Sequence, residues 1–184
     1  MKEKAKIITG VVTLAASLLA SAAFATTAHA DQNVYRLYNP NTGEHFYTTS
    51  NAEKINLQYA DWYYEGLGWV APNTGTPVYR IYNPNAKGGD HYYTKSKGEA
   101  AAAVAQGWKW DNNGHAVFYS GGGIPAYVAY NPNAQSGAHN FTTNTTEQGN
   151  LMKSGWKYGT VAWNVMAQGH SDGMNLEQIA QGDT

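Results

Sequence analysis

From Val34 onward, apolar and polar positions alternate in short runs separated by turn-forming residues, and the runs recur. VYRLYNPN at Val34 to Asn41 returns as VYRIYNPN at Val78 to Asn85 and as AYVAYNPN at Ala126 to Asn133. Each copy opens on alternating β-branched and aromatic residues, the pattern of a strand. Asn39-Pro40-Asn41-Thr42-Gly43 then predicts a turn, with φ fixed by Pro and positive φ open to Gly. A second strand follows at His45-Phe46-Tyr47-Thr48, His91-Tyr92-Tyr93-Thr94 and His139-Asn140-Phe141-Thr142. Ser50 to Glu53 has the form of a capping box, which Ser96 to Glu99 and Asn144 to Glu147 repeat or approximate, so a two-turn helix is predicted in each copy. A closing hairpin is expected next: Trp62-Tyr63-Tyr64, a Glu65-Gly66 turn and Leu67 to Val70, with Asp111 to Gly114 as a longer turn in copy two.

Four short strands per copy predict about twelve, in a mostly β chain with short helices and pseudo-threefold symmetry. Closing the sheet removes exposed edges, so a β-trefoil-like barrel is the leading architecture. Another threefold arrangement of ββαββ units is the rival, and three blades are too few for a propeller.

The flanks lack the repeat. Lys2, Lys4 and Lys6, an apolar run from Ile7 to Ala25 and Ala28-His29-Ala30 make residues 1–30 a signal peptide by pattern, with export starting at Asp31. The repeats then occupy 31–168, as copies of about 34–77, 78–125 and 126–168, and 169–184 is expected to be a disordered tail.

Composition narrows the function. Charged residues make up 14% and aromatics 13%, with a net charge of -1 and no basic run, which disfavours nucleic acid. The absence of Cys removes thiol chemistry, and an exported chain without disulfides suits a Gram-positive bacterium. No cofactor is expected. After cleavage the chain has no membrane-spanning segment, and it is expected to be a monomer.

Candidate residues fall into two groups. Trp62, Trp108 and Trp156 recur 17 residues after each His and are expected to pack in the core, while Glu53, Glu99 and Glu147 cap helices. His45, His91 and His139 are expected to be structural, each bonding its own Asn-Pro-Asn loop or the neighbouring strand. The sharper alternative is a zinc site where the three converge. No other metal or catalytic constellation is present. Ligand-binding candidates lie on the hairpins: Tyr64, Trp110 and Tyr158 for stacking on sugar faces, with Glu65, Asp111 and Asn112 for hydroxyls.

The combined pattern YRLYNP, HFYTT, E and WYYEG resembles a repeat family of unknown function found in secreted bacterial proteins, often appended to cell-wall hydrolases. That resemblance implies an accessory module. The expectation is a non-catalytic, lectin-like carbohydrate-binding protein of the bacterial envelope, secreted and either released or held noncovalently on the wall. A protein-directed factor, such as a protease inhibitor or bacteriocin-like antagonist, is the alternative, and a wall glycan hydrolase ranks third.

Overall fold

A computed structural model describes residues 30–170. Residues 1–29 of the expected signal peptide and the tail beyond His170 lie outside the described residues. The first repeat comprises β1 (Gln32–Tyr38), β2 (His45–Thr48), α1 (Asn51–Tyr59) and β3 (Tyr63–Ala71). The second has β4 (Thr76–Tyr82), β5 (His91–Thr94), α2 (Lys97–Ala105), β6 (Lys109–Trp110), a 3-10 turn at Asn112–Gly114 and β7 (Phe118–Ser120). The third has β8 (Ile124–Tyr130), β9 (His139–Thr142), α3 (Thr145–Lys153), β10 (Lys157–Val165) and β11 (Ala167–His170).

The chain is mostly β with three short helices, but its strands form three separate sheets and no closed barrel is found among the described residues. Each repeat places its first strand centrally, pairs the second strand antiparallel on one side by the Asn-Pro-Asn hairpin, and brings the third back over the helix to the other side. The second and third strands are therefore parallel, which requires a long crossover connection, and the helix supplies it.

The expected closing hairpin is replaced by one continuous strand in the first and third repeats. Glu65 and Gly66 do not turn the chain: β3 runs through them with register shifts opposite Val34/Tyr35 and Arg36/Leu37. Bulges absorb the extra residues and bend the strand instead. In the second repeat, the inserted Asp111 to Gly114 breaks this strand into β6 and β7. The tail boundary also moves, because β11 continues to His170 and adds a fourth strand beside β3. A Cβ on Gly169 would lie 2.1 Å from the Gly68 carbonyl oxygen, so only glycine permits this approach.

Two triangles of rings form the core around the pseudo-threefold axis. Tyr47, Tyr93 and Phe141 have centroids 5.5 to 5.8 Å apart, and Trp69, Phe118 and Trp163 have centroids 5.5 to 5.7 Å apart. A polar lock ties the first triangle. The Tyr93 hydroxyl accepts from the Tyr47 amide at 2.9 Å and donates to its carbonyl at 3.0 Å. The Tyr47 hydroxyl does the same for Phe141, at 2.9 and 2.8 Å. These buried phenols thus satisfy backbone groups of the preceding repeat around the ring, and Phe141, lacking a hydroxyl, leaves the cycle open.

Trp62, Trp108 and Trp156 are not the core tryptophans: all three are half-buried, whereas Trp69 is 0% exposed and Trp163 2%. The buried ring lies seven residues further on in repeats one and three, and at Phe118 in repeat two. At the start of the third strand, Trp62 lies beside the junction between repeats rather than on the axis.

Candidate functional site

The helix caps form as expected at one end. The Ser50, Ser96 and Asn144 side chains accept from the amides of Glu53, Glu99 and Glu147. The return arm differs from a capping box. Each Glu carboxylate accepts instead from the threonine at the end of the second strand, Thr48, Thr94 or Thr142, at 2.5 to 2.6 Å. The same threonine oxygen accepts from the cap amide at 2.9 to 3.0 Å.

This arrangement frees a carboxylate edge to reach the next repeat. Arg80, at the middle of β4, bonds Glu53 of the first repeat (Nη2–Oε1 2.7 Å) and Asp111 of its own (Nε–Oδ2 2.5 Å). Its guanidinium carbon sits 4.3 Å above the Phe46 ring centroid. Arg36 closes the circle: it grips Glu147 of the third repeat with Nη1–Oε2 2.9 Å and Nη2–Oε1 2.7 Å, and places Nε 2.8 Å from Glu65. The Glu65 contact is an ion pair without an aligned N–H, as both atoms otherwise lack a hydrogen bond. Burial alone would raise the Glu147 pKa, but Arg36, Thr142 and Asn140 hold it down to about 2. In the third repeat Val128 replaces the arginine and Gly159 its carboxylate partner, so the junction of repeats two and three has no such clasp.

His91 and His139 bridge copies too, whereas the contacts of His45 lie on the neighbouring strands of its own repeat. His91 Nδ1 lies 2.6 Å from Glu44, which also accepts from the His91 amide at 2.7 Å, so the partner belongs to the preceding repeat rather than to the histidine's own loop. His45 packs on Tyr38, with Nε2 3.4 Å from Glu65. His139 lies between Tyr92 and Tyr130. Each histidine occupies a different junction. Among the described residues no group of three or more His, Cys, Asp or Glu is placed to hold a metal ion.

The Asn-Pro-Asn loops meet around the axis. Gly137 has φ +62, and a Cβ there would lie 2.6 Å from the Glu44 nitrogen. Asp90, 6% exposed, accepts from the Gly137 amide at 3.1 Å; burial first, then the Glu44 charge, pushes its pKa up to about 6.

Of the expected ligand residues, Glu65 and Asp111 are consumed by Arg36 and Arg80. Asn112 is exposed in the 3-10 turn, where its side chain donates to the Ala116 carbonyl. Tyr64, Trp110 and Tyr158 lie on three different sheets and are not brought together. Tyr64 meets Tyr35 edge-on, Trp110 meets Tyr79, and Tyr158 stacks on Tyr130.

A cleft opens where the third repeat meets the first. Phe46 packs on His91 at the first junction and Tyr92 on His139 at the second, with centroids 4.9 and 4.6 Å apart. At the third junction Asn140 replaces the ring. The cleft there has a volume of about 680 Å³, against about 420 Å³ at the first junction. Trp156 and Tyr38 line it, with Asn41, Lys87, Asn131 and Gln135 from the loops. Comparing His139-Asn140 with His45-Phe46 and His91-Tyr92 was enough to flag Asn140 in the sequence. Only the ring closure shows that the cleft faces the first repeat.

Three ββαβ repeats wrapped around aromatic triangles, with ligand-sized space at the first and third junctions, make this a cyclic repeat domain. The chain belongs to the family defined by a domain of unknown function, DUF5648, which matches residues 33–166. No curated protein and no solved structure matches it. No helix among the described residues is long and apolar enough to cross a membrane.

Proposed function

We propose that this protein is a secreted, non-catalytic, lectin-like module that binds neutral glycan of the bacterial envelope in the cleft between its third and first repeats. The observation that carries this reading is the pairing of half-buried Trp156 and Tyr38 with the side-chain amides of Asn41, Asn131 and Gln135. Aromatic faces stack on the C–H faces of a pyranose, and convergent amides bond its hydroxyls. The cleft lining carries one carboxylate, Glu147, which Arg36 holds ionised, and this favours binding over hydrolysis. A glycosidase requires two carboxylates placed for acid and nucleophile or base. The leader-like residues 1–30 support export, and the envelope follows from the resemblance to repeats appended to wall hydrolases.

The test is retention on purified cell walls and on immobilised wall polysaccharide, competed by free sugar. Trp156→Ala should abolish retention with the fold intact. Asn140→Tyr, which installs the ring that the second repeat already carries, should do the same by filling the cleft. Retention should change little between low and high salt, because stacking and hydroxyl bonding dominate. Full retention by both folded variants would reject the cleft as the binding site. Competition by a protein ligand but not by sugar would favour the protein-directed alternative.

A further inference from the structure

The three junctions share one frame, and the one between the second and third repeats lacks its cation. At the first junction, the carboxylate of Glu53 and the face of Phe46 enclose the Arg80 guanidinium. At the second, Glu99 and Tyr92 hold the corresponding sequence positions, but Val128 replaces the arginine. The partners of the Glu99 carboxylate are hydroxyls, Thr94 at 2.5 Å and Tyr92 at 3.2 Å. The side chain remains solvent-exposed.

Aromatic rings extend from this carboxylate in an unbroken row. Tyr92 lies 4.6 Å from His139, His139 5.1 Å from Tyr130, and Tyr130 5.3 Å from Tyr158, by ring centroids. Tyr158 ends the row at 67% exposure. Its backbone is at φ 75, a region that a bulky residue seldom adopts. Tyr64, its counterpart in the first repeat, is not in that region and turns its ring to Tyr35. The unfavourable backbone therefore presents an aromatic face at this junction. Burial pushes His139 down to about 4, so its ring is neutral near pH 7 and adds no competing positive charge.

We propose that the junction of the second and third repeats is a binding site for a small organic cation, an alkylammonium or guanidinium group, held by the Glu99 carboxylate and the rings of Tyr92 and Tyr158, with Tyr130 backing Tyr158 from beneath. Ring faces attract cations through their quadrupole, and quaternary ammonium groups are recognised in this way. The ligand supplies from outside what Arg80 supplies within the chain one junction earlier. The site is separate from the glycan cleft and does not depend on that reading.

The experiment titrates the purified protein with choline and with methylguanidinium, following backbone amide NMR signals, and uses the uncharged carbon isostere of choline as control. Both cations should shift signals around Tyr92, Glu99 and Tyr158 saturably, with the isostere far weaker. Glu99→Gln should lower affinity by about tenfold. Val128→Arg should abolish binding, because it places a guanidinium beside Glu99. If that variant does not fold, Glu99→Gln decides the matter alone, as it removes charge without changing shape. Asn140→Tyr should leave cation binding unchanged. Equal shifts with the neutral isostere, unaltered affinity in Glu99→Gln, or shifts centred on Trp156 would each overturn the proposal. A wall polymer bearing ammonium groups that competes with choline would identify a polymer-borne source; competition by free cations only would identify a soluble one.

Discussion

Replacing Arg36 by valine should open the ring at its closing contact, and the cost can be worked from the geometry. Arg36 bonds both oxygens of Glu147 and neutralises Glu65, with side-chain exposures of 16%, 28% and 26%. Removing the cation leaves two largely buried carboxylates facing each other, and breaking such a cluster costs about 3 to 5 kcal/mol. Linkage gives an independent figure. The folded Glu147 pKa is near 2 against an ordinary 4.5, a difference worth at most about 3 kcal/mol at neutral pH. Because the folded value is depressed, this stabilisation is complete above the unfolded pKa and is lost as pH falls toward the folded one. About 2 kcal/mol should disappear between pH 7 and pH 3. Urea denaturation at both pH values measures each quantity. Arg36→Val should lose about 3 to 5 kcal/mol at pH 7 and show a shallower decline on the acid side. Adding Glu65→Gly, which reproduces the Val128 and Gly159 combination of the third repeat, should recover part of the loss. A cost below about 1 kcal/mol, with the acid dependence unchanged, would mean that the clasp is a solvated surface pair and that the reasoning is wrong.

Asp90→Asn should stabilise the protein at pH 7 by up to about 3 kcal/mol, because the raised folded pKa makes ionisation costly as pH rises from about 4 through 6; urea melts at pH 4 should show no such gain. Trp69→Ala should cost about 3 to 5 kcal/mol, whereas Trp62→Ala, at a half-buried position, should cost markedly less by thermal or urea unfolding. Ser50→Ala should cost about 0.5 to 2 kcal/mol, and Thr48→Val at least as much, because the Thr48 hydroxyl serves both the cap amide and Glu53. Equal stability losses for the two tryptophans would refute the core assignment.

The local elements were determined by the sequence itself, since each is set by neighbours within a few residues. Alternation placed β1 and β2, Asn-Pro-Asn-Thr-Gly placed the turn between them, and Ser50 with its counterparts placed the starts of the helices. The threefold repetition was equally legible, along with the mostly β character. Tertiary structure alone decided how the copies meet. Glu65-Gly66 reads as a turn locally, yet pairing with Arg36 and Leu37 across the sheet draws it into a bulged strand, and the ladder hydrogen bonds outweigh the turn preference. Glu53 reads as a cap, but its carboxylate is directed to an arginine of the next copy, and the contact between Arg36 and Glu147 spans 111 positions. Such contacts follow from rotation about an axis that no local period encodes. The same rotation turned a recurrent tryptophan outward to the junctions and set the buried ring at Trp69 and Trp163. It also gave the third-repeat substitutions Val128, Asn140 and Gly159 their effect, because each removes half of a pair whose other half lies on another strand or another copy.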